Sequence, residues 1–254
     1  MRFNSKKCYI LSVKNKSQHY YSLGGSILQR VQNNPYLGIE FSEDLKWSSH
    51  ISKITKKANS VIGFLRRNLS HCPTACRRNA YLSLVRSVIE YGAIVWDPYL
   101  QQDIDCFDRV QRKGVRFITG DYKSRSPGCV TAMLASQNLS SLQGRRKKLR
   151  LAFLFKLVEG TVPAICAENY LTPQRPKRAI RLKSFSDHIT NNILDSQVTN
   201  NTKCFRVPLS QTEQYRQSFF ARTIVDWNHL ADDVVNAPSA DAFRNRLENV
   251  QSCS

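Results

Sequence analysis

Tyr36-Leu37-Gly38-Ile39-Glu40-Phe41 opens the stretch that decides the fold. Glu43-Asp44-Leu45-Lys46-Trp47-Ser48-Ser49-His50-Ile51 continues it, and Tyr91-Gly92-Ala93-Ile94-Val95-Trp96-Asp97-Pro98-Tyr99 closes it. The opening segment alternates, with Leu37, Ile39 and Phe41 opposite Tyr36, Gly38 and Glu40, which predicts a half-buried strand. Gly38 inside such a strand predicts close approach by another backbone or a ligand. Beyond Trp47 the apolar spacing changes from two to between three and four, so helices follow.

Upstream, Cys8 to Val13, Tyr20 to Leu23 and Ile27 to Val31 have strand composition. Gly24-Gly25 marks a hairpin, and Asn33-Asn34-Pro35 reads as a further turn. The first forty residues therefore predict a small antiparallel sheet, too thin to stand without packing on its neighbours.

Downstream, a first helix is predicted from about Ser48 to Leu69, burying Ile51, Ile54, Ala58, Val61, Ile62 and Leu65. Its cations, Lys53, Lys56, Lys57, Arg66 and Arg67, lie mostly off that stripe. Pro73 suits the opening of a second helix, Thr74 to Val95, with Tyr81, Leu84, Val85, Val88 and Tyr91 inward, Ile89 at the edge and Arg77, Arg78 and Arg86 as its charge. Gly92 falls on the same stripe and predicts a closely approaching helix. A third helix, Gln102 to Ile118, buries Ile104, Phe107, Val110, Val115 and Ile118 beside the cations Arg109, Arg112, Lys113 and Arg116. A short helix over 126–138 and a longer one over 141–158 follow.

The longer helix begins with Arg145-Arg146-Lys147-Lys148-Leu149-Arg150. Such a run fits a nuclear-localisation patch, a phosphate-binding row or a solvated helix start. Residues 161–205, with Pro163, Pro173, Pro176 and the basic Arg175-Pro176-Lys177-Arg178, predict an extended linker with one turn of helix near Phe185 to Leu194. A last segment, 206–254, recovers helical patterning through Phe219, Phe220, Ile224 and Trp227, then Phe243, Leu247 and Val250. The expected class is α+β, divided at 1–43, 44–160, 161–205 and 206–254.

The 254 residues carry 38 Lys and Arg against 19 Asp and Glu, a net charge of +19. Residues 46–160 alone hold 21 cations against 7 acids, so +14 of that charge lies in the helical middle. This concentration favours a polyanion-binding face over general solubility. The Cys8 to Val13 run is too short for a secretory signal core, and no run reaches the length of a membrane helix. An intracellular protein, nuclear or cytoplasmic, is expected, with its eight cysteines reduced.

Catalytic patterns do not stand out. The five histidines are dispersed, and HExxH, GxSxG and P-loop spacings are missing. Cys72 and Cys76, next to His71, have half of a zinc-site spacing without a second pair. Asp103, Asp105 and Asp108 suit a helix start among arginines better than a metal, and Asp232-Asp233 follow a helix rather than joining two strands.

The chain resembles the C-terminal part of reverse transcriptases from non-LTR (LINE-type, jockey-like) retrotransposons. The resemblance rests on Tyr36-Leu37-Gly38 with Asp44 to Ile51, on Gly63-Phe64-Leu65-Arg66-Arg67-Asn68-Leu69, on Tyr91 to Tyr99 with Val110-Gln111-Arg112-Lys113, and on Trp227-Asn228-His229-Leu230 ahead of Ala237-Pro238-Ser239. It implies that Tyr36, Leu37 and Gly38 end a palm, where a hairpin supports a primer strand. It also implies that the following helices form a thumb holding a template–primer duplex by its backbone. The backbone contacts so implied are Lys53, Lys56, Lys57, Arg66, Arg67, Arg77, Arg78, Arg112, Lys113, Arg116, Arg145, Arg146, Lys147 and Lys148.

That family's aromatic-x-Asp-Asp hairpin and its upstream Asp, which hold Mg2+, would lie ahead of Met1, and Ala231-Asp232-Asp233 is not that motif. The resemblance thus implies a truncated reverse transcriptase without catalysis or cofactor of its own. RNA or DNA bound without sequence preference is the expected partner, with the palm region or a second copy beside it and no membrane. The rival expectation is a helical protein-interaction module, or a relic without a role, motivated by an uncovered edge at Leu37, Ile39 and Phe41.

Overall fold

A computed structural model describes residues 4–13, 19–174 and 201–252. It is α+β, 56% helical, with short strands gathered at the N-terminus. The chain forms two compact units, Met1–Arg146 and Lys147–Ser254.

Unit 1 begins with three two-stranded pieces. β1 (Tyr9–Ile10) pairs with β4 (Gln29–Arg30), and β2 (Ser22–Leu23) with β3 (Ser26–Ile27). β5 (Asn33–Tyr36) pairs with β6 (Ile39–Ser42). The last two are antiparallel, as expected. β1 and β4 are parallel, because the chain between them carries the β2–β3 hairpin and supplies the crossover that parallel strands need.

The predicted turn at Asn33-Asn34-Pro35 is instead strand β5, and the turn lies at Leu37-Gly38. Both residues have positive φ, 49° and 81°, the geometry of a two-residue type I′ hairpin. The turn reverses the chain, so the apparent alternation does not continue through it. Ile39 is buried and Phe41 meets the edge of Trp47, whereas Leu37 is 72% exposed.

α1 (Ser48–Asn68) buries His50, Ile51, Thr55, Ala58, Ile62 and Leu65, close to the expected stripe. The predicted single second helix is interrupted. α2 (Thr74–Ala80) runs into a wider π turn, Tyr81–Arg86, then α3 (Ser87–Glu90), and α4 (Ala93–Trp96) follows after a break. Tyr81, Val85, Ile89 and Ala93 are buried at intervals of four, which the wider turn keeps on one face. Leu84 and Tyr91, expected inside, are exposed. Gly92 has φ 63°, and a Cβ there would lie 2.7 Å from Cδ1 of Ile39. The close approach predicted at Gly92 is therefore made by a strand residue rather than a helix.

α5 (Gln101–Thr119) runs in the same direction as α1. Ser48 Oγ donates to Asp103 Oδ2 at 2.9 Å, and Lys113 Nζ donates to Asn59 Oδ1 at 3.0 Å. Further along, the Arg66 guanidinium lies 4.2 Å from the Tyr122 ring centroid. All five predicted core residues of α5 are buried. Trp96 stacks on Phe107, their centroids 5.4 Å apart, and anchors this core. α6 (Cys129–Ser136) is shorter than expected.

α7 (Leu142–Val158) gives its residues up to Arg146 to unit 1 and the rest to unit 2. In unit 2, Leu151, Leu154, Phe155 and Leu157 pack with Trp227 and Phe243. The described parts of the predicted linker belong to this core. Leu171 and Phe205 are buried, Pro173 bridges Phe205, and Asn201 Nδ2 donates to the Trp227 carbonyl. Prolines fix local direction without excluding burial of the apolar residues between them. The helix turn expected near Phe185 to Leu194 and the run Arg175 to Arg178 lie outside the described residues, as does the Val250 side chain. The helical patterning expected through Phe219, Phe220, Ile224 and Trp227 occurs as α9 (Phe219–Asn228), preceded by the short α8 (Glu213–Arg216). α10 (Asp232–Val235) and α11 (Ala240–Ser252) complete the unit. Among the described residues, no helix is long and apolar enough to cross a membrane.

Candidate nucleic-acid interface

On α1 the apolar residues turn inward at helical spacing, which leaves Lys53, Lys56, Lys57, Ser60, Phe64 and Arg67 exposed on the opposite side. Residues three and four apart on a helix are neighbours, so this is one face. Among the described residues, Lys56, Lys57 and Arg67 have no ion pair or hydrogen bond. Lys53 Nζ lies 3.1 Å from Glu40 Oε2 and stays largely solvent-facing. The Ser49 hydroxyl and the Lys53 ammonium, both donating to Glu40, hold its carboxyl below the usual carboxylate range.

Beside this face lies a groove of about 490 Å³. Gly38 of the hairpin turn, His50, Lys53, Ile54 and Lys57 of α1, and Ser87, Val88 and Tyr91 line it. The hairpin tip is fastened to it. Tyr91 Oη donates to the Leu37 carbonyl at 3.0 Å, and a Cβ at Gly38 would lie 3.2 Å from Tyr91 Cε1. The close approach predicted at Gly38 is thus made by an aromatic ring. Tyr36 and Leu37 project from the tip, both exposed.

His50 couples the hairpin to α1. Its Nδ1 accepts from the Glu40 N–H at 3.2 Å, and its ring meets Trp96 edge-on at 5.3 Å. An accepting Nδ1 puts the proton of a neutral ring on Nε2, which is buried without a partner among the described residues. Burial pushes His50 below the ordinary histidine range, against the opposing pull of Glu40. Reading the histidines as dispersed misses this role; His50 three residues after Trp47, in the first turn of a helix, is the signal that points to it.

The remaining predicted cations separate by environment. Arg112 and Lys113 are exposed on α5, and Lys113 reaches across to Asn59. Arg112 borders a second groove of about 750 Å³ between α5 and α6, with Arg116 and Arg125. Arg116 is turned to a loop, donating to the carbonyls of Asp121 and Ser124. Arg77 donates to the Phe117 carbonyl and Arg78 to that of Gln137. Arg66 is exposed over Tyr122.

Four of the five cations in the run opening α7 are paired with acids. Arg146 is 1% exposed, pairs with Asp97 at 2.8 Å and lies over the Phe107 ring. A charge so placed has no surface to offer a backbone, which corrects its expected role. Arg145 pairs with Glu90. In unit 2, Lys147 and Arg150 both pair with Asp226, at 2.9 and 3.0 Å. Lys148 is half-buried. The acids responsible lie far away in sequence, beyond the reach of a local pattern.

Among the described residues, no group of three His, Cys, Asp or Glu is placed to hold a metal. Burial, the larger effect, and the neighbouring Cys76 raise the Cys72 thiol above its ordinary range. Asp232 accepts from the Thr202 N–H and hydroxyl, which lower its carboxyl below the usual range. No protein-family profile matches the chain, and no curated protein or solved structure shows significant similarity to it.

Proposed function

We propose that unit 1 holds a nucleic-acid duplex by its sugar–phosphate backbone, without sequence preference, as the thumb-like part of a reverse transcriptase of the non-LTR retrotransposon type. The exposed row Lys53, Lys56, Lys57 and Arg67 carries this reading, because it runs beside a groove that also contains the hairpin turn at Gly38. Ammonium and guanidinium groups neutralise phosphates and release counterions, whatever the bases. Lys113 and Arg112 add cations on the neighbouring helix. The apolar wall of Ile54, Val88 and the Tyr91 ring suits sugars, and the turn is held to Tyr91 by a hydrogen bond.

The reading assigns unit 1 to holding rather than chemistry. The rival, a protein-interaction module, loses part of its motive, since Ile39 and Phe41 are covered within the unit and Leu37 alone of the three projects. Titration of the full chain with a labelled RNA–DNA hybrid separates the two. Backbone holding gives affinity that falls steeply as salt rises, equally for unrelated sequences. Absence of binding at low salt, or self-association that persists at high salt, defeats it.

A further inference from the structure

Unit 2 carries a groove of different chemistry. It measures about 390 Å³ and lies between the 3₁₀ turn Ala167–Asn169 and the segment leading into α9. Tyr170 and Phe220 line it as a parallel pair, centroids 4.4 Å apart and planes at 0°. Tyr170 remains 50% exposed although one side of its ring is taken by Phe220. Tyr215, also half exposed, is a further aromatic wall, and Leu209 projects beside it. Arg206 is the groove's cation, and the lining contains no carboxylate.

We infer that this groove takes the unpaired bases of a single-stranded nucleic acid, stacked on Tyr170. An exposed ring already in a parallel stack offers its free face to another flat π-system, and every base has one. A guanidinium beside stacked rings suits the phosphate that accompanies a base. A proline-rich peptide also favours aromatic grooves, but it brings no anion to answer Arg206 in a lining free of acids. The chemistry differs from that of the α1 face, which has lysines and no stacked pair, and it does not depend on the proposal for unit 1. One unit would grip backbone and the other would read out strandedness.

The test uses the full chain and two labelled probes, an oligothymidylate and an RNA–DNA hybrid, in fluorescence anisotropy titrations. Tyr170→Ala is expected to weaken oligothymidylate binding about tenfold and leave the hybrid unchanged. Tyr170→Phe, which keeps the ring, is expected to bind both as the parent does and so controls for folding. Lys53→Gln with Lys57→Gln is expected to weaken the hybrid, and failure there concerns unit 1 alone. Unchanged oligothymidylate binding by Tyr170→Ala overturns the inference. So does an equal loss for both probes, or a parent that binds a proline-rich peptide and no oligothymidylate.

Discussion

Two basic stretches of the chain look alike in sequence and end in opposite environments. Lys53, Lys56 and Lys57 on α1 stand in solvent, with one link to Glu40. Arg145, Arg146, Lys147 and Arg150 on α7 are denser in charge, and each is paired with Glu90, Asp97 or Asp226. Charge density along a sequence therefore does not locate a binding face. The position of the acids does, and those of α7 come from distant parts of each unit. The α1 lysines have few acids to meet, so most of their charge stays uncompensated within the unit.

The comparison breaks most visibly at Arg146. Arg146→Ala takes the Arg146 guanidinium from the buried Asp97 carboxylate, and loss of about 3–5 kcal/mol is expected in chemical denaturation. If Arg146 were a surface cation like Lys56, the loss would stay within about 0.5 kcal/mol. Replacing Arg146 and Asp97 together by apolar residues of similar volume is expected to recover part of the loss, since both charges of the pair then leave the core.

The next effect tests the setting of the α1 face. Gly38→Ala puts a side chain at φ 81° and against Tyr91, and costs about 1–2 kcal/mol through strain in the left-handed region. Thermal unfolding checks it, and an unchanged midpoint would mean that residue 38 does not need the left-handed region to close the turn.

A pH effect follows at His50. Its folded pKa lies below the unfolded value because burial disfavours the imidazolium, so the unfolded chain takes up the proton more readily. The stability contributed is fully present above the unfolded pKa near 6.5 and is lost as pH falls through the folded one. Glu40 favours the charged ring, while Lys53 opposes it. The melting temperature should decline on acidification below that point, and His50→Gln should flatten the decline. An equal decline in the variant would place the responsible group elsewhere.

Much of the helical framework is legible in the sequence. Ile51, Ala58, Ile62 and Leu65, and the five residues of α5, bury where their spacing puts them, because a straight helix keeps its period. The second helix is less legible. A π turn and a glycine break change the period, so Ile89 lies inside while Leu84 and Tyr91 lie outside. The hairpin misleads for a related reason: a turn at Leu37-Gly38 has the same apolar alternation as a strand running through it, and Leu is an uncommon choice at positive φ. Of the predicted backbone contacts, exposure of the α1 lysines follows from amphipathicity. The burial of Arg146 does not, because nothing near it in sequence announces Asp97. The aromatic pair Tyr170 and Phe220 is fifty positions apart in the chain, beyond any local reading.

The central claim is that the exposed α1 lysines, and not the α7 run, meet phosphates. The salt dependence of RNA–DNA hybrid binding tests it directly, comparing the parent chain with Lys53→Gln, Lys56→Gln and Lys57→Gln combined. Their stability should differ by about 0.5 kcal/mol or less per site. The plot of log affinity against log salt should become shallower by about 1 for each phosphate that no longer meets an ammonium, so by about 2 to 3 in all. An unchanged slope with unchanged affinity would contradict the claim.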